Sequence, residues 1–99
     1  MAPVEHVPFL RSLSARRWRA QIGAATPEEI RFLIECLHNL IASRVFLTAR
    51  ERSHILRNLH VFQTVAKLRE ESLARAALLK HGRVLLPSLS PVVALLQGR

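Results

Sequence analysis

The sequence contains one cysteine, no aspartate and three glycines, and each shortage excludes a class of protein. The single thiol, Cys36, cannot form a disulfide within one chain, so a disulfide-stapled scaffold is excluded and a reducing compartment fits. Gly23, Gly82 and Gly98 are too far apart to form a glycine-rich phosphate-binding loop. The longest uncharged run, residues 84–98, is shorter than the ~20 apolar residues that a membrane-spanning helix needs.

The amino-terminal stretch and the scattered histidines give no signal for export or for metal binding. Residues 1–13 carry a glutamate and two prolines without a long apolar run, so we expect a protein that is not secreted. Cys36 and His38 are two residues apart on a predicted helix and therefore point to different faces. The two carboxylates of each adjacent pair, Glu28–Glu29 and Glu70–Glu71, also point apart on a helix. We expect no metal, no other cofactor and no enzymatic activity.

The charge is large, positive and carried almost entirely by arginine. The net charge is +8, with thirteen arginines and two lysines against seven glutamates. Arginine stays charged, binds phosphate oxygens with its planar fork and stacks on bases, so this bias favours a polyanion partner. Residues 24–43 carry −2, whereas residues 1–23, 44–63 and 64–83 carry +3 each. The competing interpretation is that these arginines only solvate helix faces.

Two capping boxes predict where helices begin. Thr26 is followed by a proline at the first helical position and by Glu29, the residue that completes a capping box. Thr48 and Glu51 repeat this spacing. In both cases a threonine hydroxyl and a glutamate carboxylate are placed to satisfy backbone N–H groups at a helix start.

Apolar residues at three- and four-residue steps predict helices near 27–43, 48–60 and 64–81. We therefore predict an all-α fold, a small bundle of three to four helices with a proline-interrupted apolar C-terminal tail. The helical domain should span residues 26–83. The predicted core consists of Ile30, Leu33, Leu37, Leu40, Ile41, Ile55, Leu59, Leu68 and Leu79.

Residues 1–25 are basic, and Arg16, Arg17 and Arg19 surround the only tryptophan, Trp18. Two interpretations fit this composition. The segment is either a short amphipathic helix or a basic arm that becomes ordered only on a partner.

The character of the chain changes after the predicted third helix, where Gly82 fits a left-handed helix cap. Residues 84–99 form an apolar tail interrupted by Pro87 and Pro91, which argue against one regular helix from Val84 onward. The tail either folds back onto the core or lies in a membrane interface or a groove on a partner.

The order of segments between residues 27 and 96 resembles that of small basic proteins encoded by adintoviruses and related Maverick (Polinton) elements. The matching pieces are residues 39–41, 47–48, 78–82 and 85–87. The last two pieces are also similar to the adenovirus core peptide mu, in which a basic region runs into a glycine and an apolar tail. This chain departs from the pattern in its few lysines, its glutamates in the basic stretch and a single glycine where a pair is usual. The resemblance implies a minor virion protein associated with the packaged genome or the capsid interior.

Together, these observations predict a small basic binding protein of a virion or genome, present in the virion and in the host nucleus or cytoplasm. Its expected partners are nucleic acid, held by non-specific phosphate contacts, and other virion proteins or further copies of itself. Membrane contact without spanning is a further expectation. The predicted nucleic-acid-binding residues are Arg16, Arg17, Arg19, Arg50, Arg52, Arg57, Lys67, Arg69, Arg75, Lys80 and Arg83.

The alternative hypothesis is a protein–protein interaction or scaffold module that docks a partner through the apolar tail and the helix near 27–43. The residues predicted to contact such a partner are Trp18, Leu85, Leu86, Leu89, Val92, Val93, Leu95 and Leu96.

Overall fold

The computed structural model describes residues 6–42 and 46–96. Within these two ranges the chain forms helices and no strand, which confirms the predicted all-α class. The elements are α1 (Val7–Ser12), α2 (Trp18–Ala24), α3 (Pro27–Ile41), α4 (Ala49–Arg57), α5 (Leu59–Ala66), α6 (Glu71–Lys80), α7 (Gly82–Leu85), a 3-10 helix (Leu86–Leu89) and α8 (Ser90–Leu96).

Both predicted capping boxes are present. At the start of α3 the Glu29 N–H donates to Oγ1 of Thr26 at 3.1 Å, and the Thr26 N–H donates to Oε1 of Glu29 at 2.9 Å. At the start of α4, Thr48 and Glu51 make the same two bonds at 3.1 and 2.8 Å. Each box satisfies two N–H groups that a helix start leaves without a backbone partner.

The later helix boundaries differ from the prediction. Residues 60–64, predicted as a break, lie inside α5, and the break falls at Asn58 instead. The Asn58 side chain donates from Nδ2 to the carbonyl of His54 at 2.9 Å, which satisfies one of the last carbonyls of α4. The predicted helix at 64–81 is divided between α5 and α6. The end predicted for the first of these helices, Ser43, lies outside the described residues.

The core surrounds α3, which packs against α5, α6 and the 3-10 helix. Of the nine predicted core residues, Ile30, Leu33, Leu37, Leu40 and Ile55 are buried. The other four are partly buried against this core: Ile41, Leu59, Leu68 and Leu79. Buried residues absent from the prediction are Trp18, Ile22, Phe62, Val65, Leu78 and Leu85, among others.

The apolar tail folds back and is part of this core. Leu85, Leu89 and Val92 are only 0, 3 and 3% exposed. Helix α8 packs against α1, so the two described ends of the chain meet. The radius of gyration is 12.3 Å, close to the ~13 Å of a compact 100-residue domain. The tail therefore completes a core that residues 26–83 alone would leave open.

The two prolines of the tail lie where its helical segments begin. Pro87 lies in the first turn of the 3-10 helix, and Pro91 lies at the start of α8. Proline has no N–H and fits best in the first turn of a helix, so each proline begins a new segment. The tail is not one regular helix, as predicted.

Candidate nucleic-acid interface

The described surface contains a basic groove between residues 15–19 and residues 79–87. Its volume is about 680 Å³. Among the described residues, no carboxylate lines it. The charged residues in it are Arg16, Arg19, Lys80 and Arg83, accompanied by His81. The remaining lining residues are Ala15, Trp18, Leu79, Gly82, Val84, Leu86 and Pro87.

Trp18 joins the two walls of the groove. Its indole is 6% exposed, and Nε1 donates a 2.8 Å hydrogen bond to the carbonyl of Leu78 near the end of α6. A buried indole N–H needs such an acceptor, because leaving it unpaired costs the desolvation free energy of the donor. The contact brings the segment that carries Arg16 and Arg19 against the segment that carries Lys80 and Arg83.

The same indole restricts which residue can occupy position 82. We predicted Gly82 as a left-handed cap, which is wrong: it is the first residue of α7 and it is buried. A Cβ at this position would lie 2.6 Å from Cδ1 and 2.9 Å from Cε2 of Trp18, and closer still to Nε1. The indole thus occupies the space of a side chain, so only glycine fits without displacement.

Gln21 holds the basic wall in place from inside α2. Its Nε2 donates to the carbonyl of Ser12 at 2.8 Å, and its Oε1 accepts from the Ser14 N–H at 3.1 Å. The two amide atoms therefore bind the last residue of α1 and the loop that follows it, shortly before Arg16. Within this chain residues 15–19 take a defined turn and helix start, which is closer to the short-helix interpretation than to a free basic arm. Arg17 is exposed but does not line the groove.

Two of the three α4 arginines lie on the side of α4 that faces the tail. His54 Nε2 lies 2.8 Å from the carbonyl oxygen of Val84, which is a groove residue. Arg50 and Arg57, four residues before and three after His54, share its side of the helix. Arg52 is on the opposite side. All three are exposed. The structure thus brings Arg50 and Arg57, but not Arg52, toward the segment that carries Arg83.

The remaining predicted cations are elsewhere. Lys67 and Arg69 are exposed in the connection between α5 and α6. Arg69 lines a second cavity of about 380 Å³ together with Arg31, but Glu35 and Glu71 line it too. This second cavity, which we call the electrically mixed cavity, is therefore lined by charges of both signs, unlike the basic groove.

Arg75 is engaged within the fold and does not extend the basic surface. Its Nη1 donates to the carbonyls of Ile22 and Ala25 at 2.7 and 2.8 Å, and to that of Gly23 at 3.3 Å. Its Nε and Nη2 contact Glu71, the one ion pair within the described ranges. The guanidinium donates to carbonyls at the end of α2, where its positive charge is favourable. The prediction that Arg75 contacts nucleic acid does not fit this placement.

The residues predicted to bind a partner protein lie mainly in the interior. Trp18 and the tail residues Leu85, Leu89 and Val92 are buried, so in this fold they are not accessible to a partner. Leu86 and Val93 are partly buried against the core. The side chains of Leu95 and Leu96 lie outside the described residues.

The single thiol is buried and held protonated. Cys36 is 3% exposed. Burial, assisted by the neighbouring Glu35 charge, raises the pKa of its thiol to about 12. Among the described residues, no three His, Cys, Asp or Glu side chains lie close enough together to hold a metal ion. None of the described helices is long and apolar enough to cross a membrane.

No protein-family model matches the chain, and no curated protein and no solved structure matches it either.

Proposed function

We propose that this protein is a non-enzymatic binding protein that contacts nucleic acid through the basic groove. The observation that carries the proposal is the convergence of Arg16, Arg19, Lys80 and Arg83 on one concave surface that no described carboxylate lines. Like charges in a cleft raise the local concentration of an oppositely charged ligand. Keeping four cations together costs repulsion, which a polyanion relieves.

The contacts are to phosphates, so binding is strongly dependent on salt and has little dependence on base sequence. Arg50 and Arg57 extend the cationic surface along α4, on the side that approaches Val84. Arg75 is excluded from the interface because three backbone carbonyls already accept from its guanidinium.

The scaffold hypothesis has less support from the geometry. It relied on the apolar tail and on the helix near 27–43, and both of these use their apolar faces to build the core. The resemblance to adintovirus and Maverick proteins adds the proposal that the bound nucleic acid is a packaged genome. In that case the protein would be found in the virion and in the host nucleus or cytoplasm. That part depends on the resemblance alone.

The test is the affinity for a fluorescently labelled oligonucleotide, measured by anisotropy over a series of salt concentrations. Four phosphates neutralised on a single strand give a log–log salt slope near −3, from about −0.7 per phosphate. The variants R16Q/R19Q and K80Q/R83Q should each weaken binding and flatten the slope by about 1.4.

The matched control is R31Q/R69Q, which removes the same charge from two exposed residues of the electrically mixed cavity. It should change the slope by much less than either groove pair. Equal losses in all three double variants would show that net charge, and not the groove, determines binding. Binding that ignores salt, or no binding, would contradict the proposal.

A further inference from the structure

The basic groove is not lined by cations alone. Between the two charged walls it presents apolar groups, of which Leu79, Val84 and Leu86 are partly exposed and Pro87 is exposed. Ala15 also lines it, as does Trp18, although Trp18 is only 6% exposed. A site that contacted only phosphates would leave these groups facing the highly charged backbone of its ligand.

Duplex and single-stranded nucleic acids differ in what they offer to such a surface. A duplex stacks its bases inside and presents a convex exterior of sugar and phosphate. A single strand presents phosphates and unstacked base faces together. Proteins stack such faces on aromatic side chains beside a cationic groove, and they also hold single bases between apolar side chains. The planar guanidinium of arginine also stacks on aromatic rings such as bases, whereas the ammonium group of lysine acts as a point charge.

We infer that the groove selects single-stranded DNA or RNA over duplex, with phosphates on its four cations and base faces on its apolar lining. The inference rests on the proposed function, because it names the form of nucleic acid that the same groove takes. The combination of charge and exposed apolar surface in one concavity carries it.

The experiment compares three ligands of equal length at one salt concentration: a single strand of thymidines, a single strand of abasic sugar phosphates and a duplex. The two single strands carry the same backbone charge and differ only in their bases. The abasic strand lacks the base faces that the apolar lining contacts, so it should bind more weakly than the thymidine strand. The duplex should also bind more weakly than the thymidine strand.

Two variants localise the base contact. L86N replaces an apolar groove residue, and L73N makes the same change at an α6 residue that is 56% exposed and does not line the groove. L86N should reduce the difference in affinity between the thymidine and abasic strands. L73N should change neither affinity. If L86N fails to fold, the comparison of the three ligands on the unmodified protein still decides the question.

Equal affinity for the thymidine and abasic strands would overturn the inference and leave the phosphate-binding proposal intact. Tighter binding of the duplex would do the same. Failure of all three ligands to bind would instead contradict the proposed function, so the two failures are distinguishable.

Discussion

The indole of Trp18 lies against the α-carbon of Gly82 so closely that any Cβ there would overlap the ring. The same indole donates its Nε1–H to the carbonyl of Leu78. These contacts join α2 to the α6–α7 junction, and they also place Arg16 and Arg19 opposite Lys80 and Arg83. The candidate interface therefore depends on contacts of Trp18 with a distant part of the chain.

Gly82→Ala should destabilise the protein by about 1–3 kcal/mol, because overpacking forces a buried ring to move. In an open helical position the same change stabilises, since alanine loses less backbone entropy than glycine. The sign of the effect is therefore diagnostic, and urea unfolding followed by circular dichroism measures it. Gly82→Ala should also weaken oligonucleotide binding.

Gly23→Ala is the matched control for this substitution. Gly23 is in α2, and nothing lies within 4 Å of the Cβ that alanine would add. We expect a gain of roughly 0.5–1 kcal/mol in the free energy of unfolding. If both variants are stabilised, the close approach of Trp18 to Gly82 is wrong.

Arg75→Gln should lower the free energy of unfolding by about 2 kcal/mol, the usual value for hydrogen bonds made by a charged group. The loss arises because carbonyls of Ile22 and Ala25 lose their charged donor. Arg69→Gln, at an exposed residue, should cost less than about 0.5 kcal/mol. At a temperature where both variants are folded, Arg75→Gln should leave the salt slope of oligonucleotide binding unchanged. A flattened slope would place Arg75 in the interface after all.

Leu85→Ala should cost about 2–5 kcal/mol, because Leu85 is fully buried and its truncation leaves a cavity. Leu73→Ala, at a leucine that is 56% exposed, should cost much less.

Deletion of residues 84–99 should abolish cooperative thermal unfolding. A truncated chain that retains a sharp unfolding transition would mean that the tail is a separate appendage.

The Cys36 thiol should make stability fall at alkaline pH. Its pKa is raised in the folded state from 9.0 to about 12, so the folded protein holds the proton more tightly than the unfolded chain does. The resulting stability is complete below pH 9 and is lost as the pH rises through about 12, by up to ~1.4 kcal/mol per pH unit. Urea unfolding between these pH values should show a shallower decline for Cys36→Ala than for the unmodified protein. Parallel declines would indicate an accessible thiol.

Features encoded locally in the sequence were predictable. The capping boxes at Thr26 and Thr48 need only residues three positions apart, and the apolar stripe of α3 needs only one helix. Helix breaks were harder, because Asn58 ends α4 with a side-chain bond that no glycine or proline announces. The apolar residues of α6 are not confined to one face, so the sequence does not indicate which of them are buried. In the fold, Ala74 and Leu78 are buried and Leu73 is exposed.

The candidate interface was predicted in part. The arginines around Trp18 and the cations near Gly82 were both identified, but nothing in the sequence indicated that these segments meet. Trp18 was predicted to contact a partner, whereas in the tertiary structure it is buried and its indole N–H donates to the carbonyl of Leu78. The role of Arg75 was hidden for the same reason, since its acceptors belong to a helix far away in the chain.

Nucleic-acid binding at the basic groove is tested most directly by following the backbone and indole resonances during titration with a single-stranded oligonucleotide. The single tryptophan gives one indole N–H signal, from a group that lines the groove. We predict that this signal and the amides of residues 15–19 and 79–86 shift together, saturate at one ligand concentration and return on addition of salt. Residues around Arg31 and Arg69 should stay unchanged. Saturable binding that shifts the resonances around Arg31 and Arg69 and leaves the Trp18 signal unchanged would contradict binding at the basic groove.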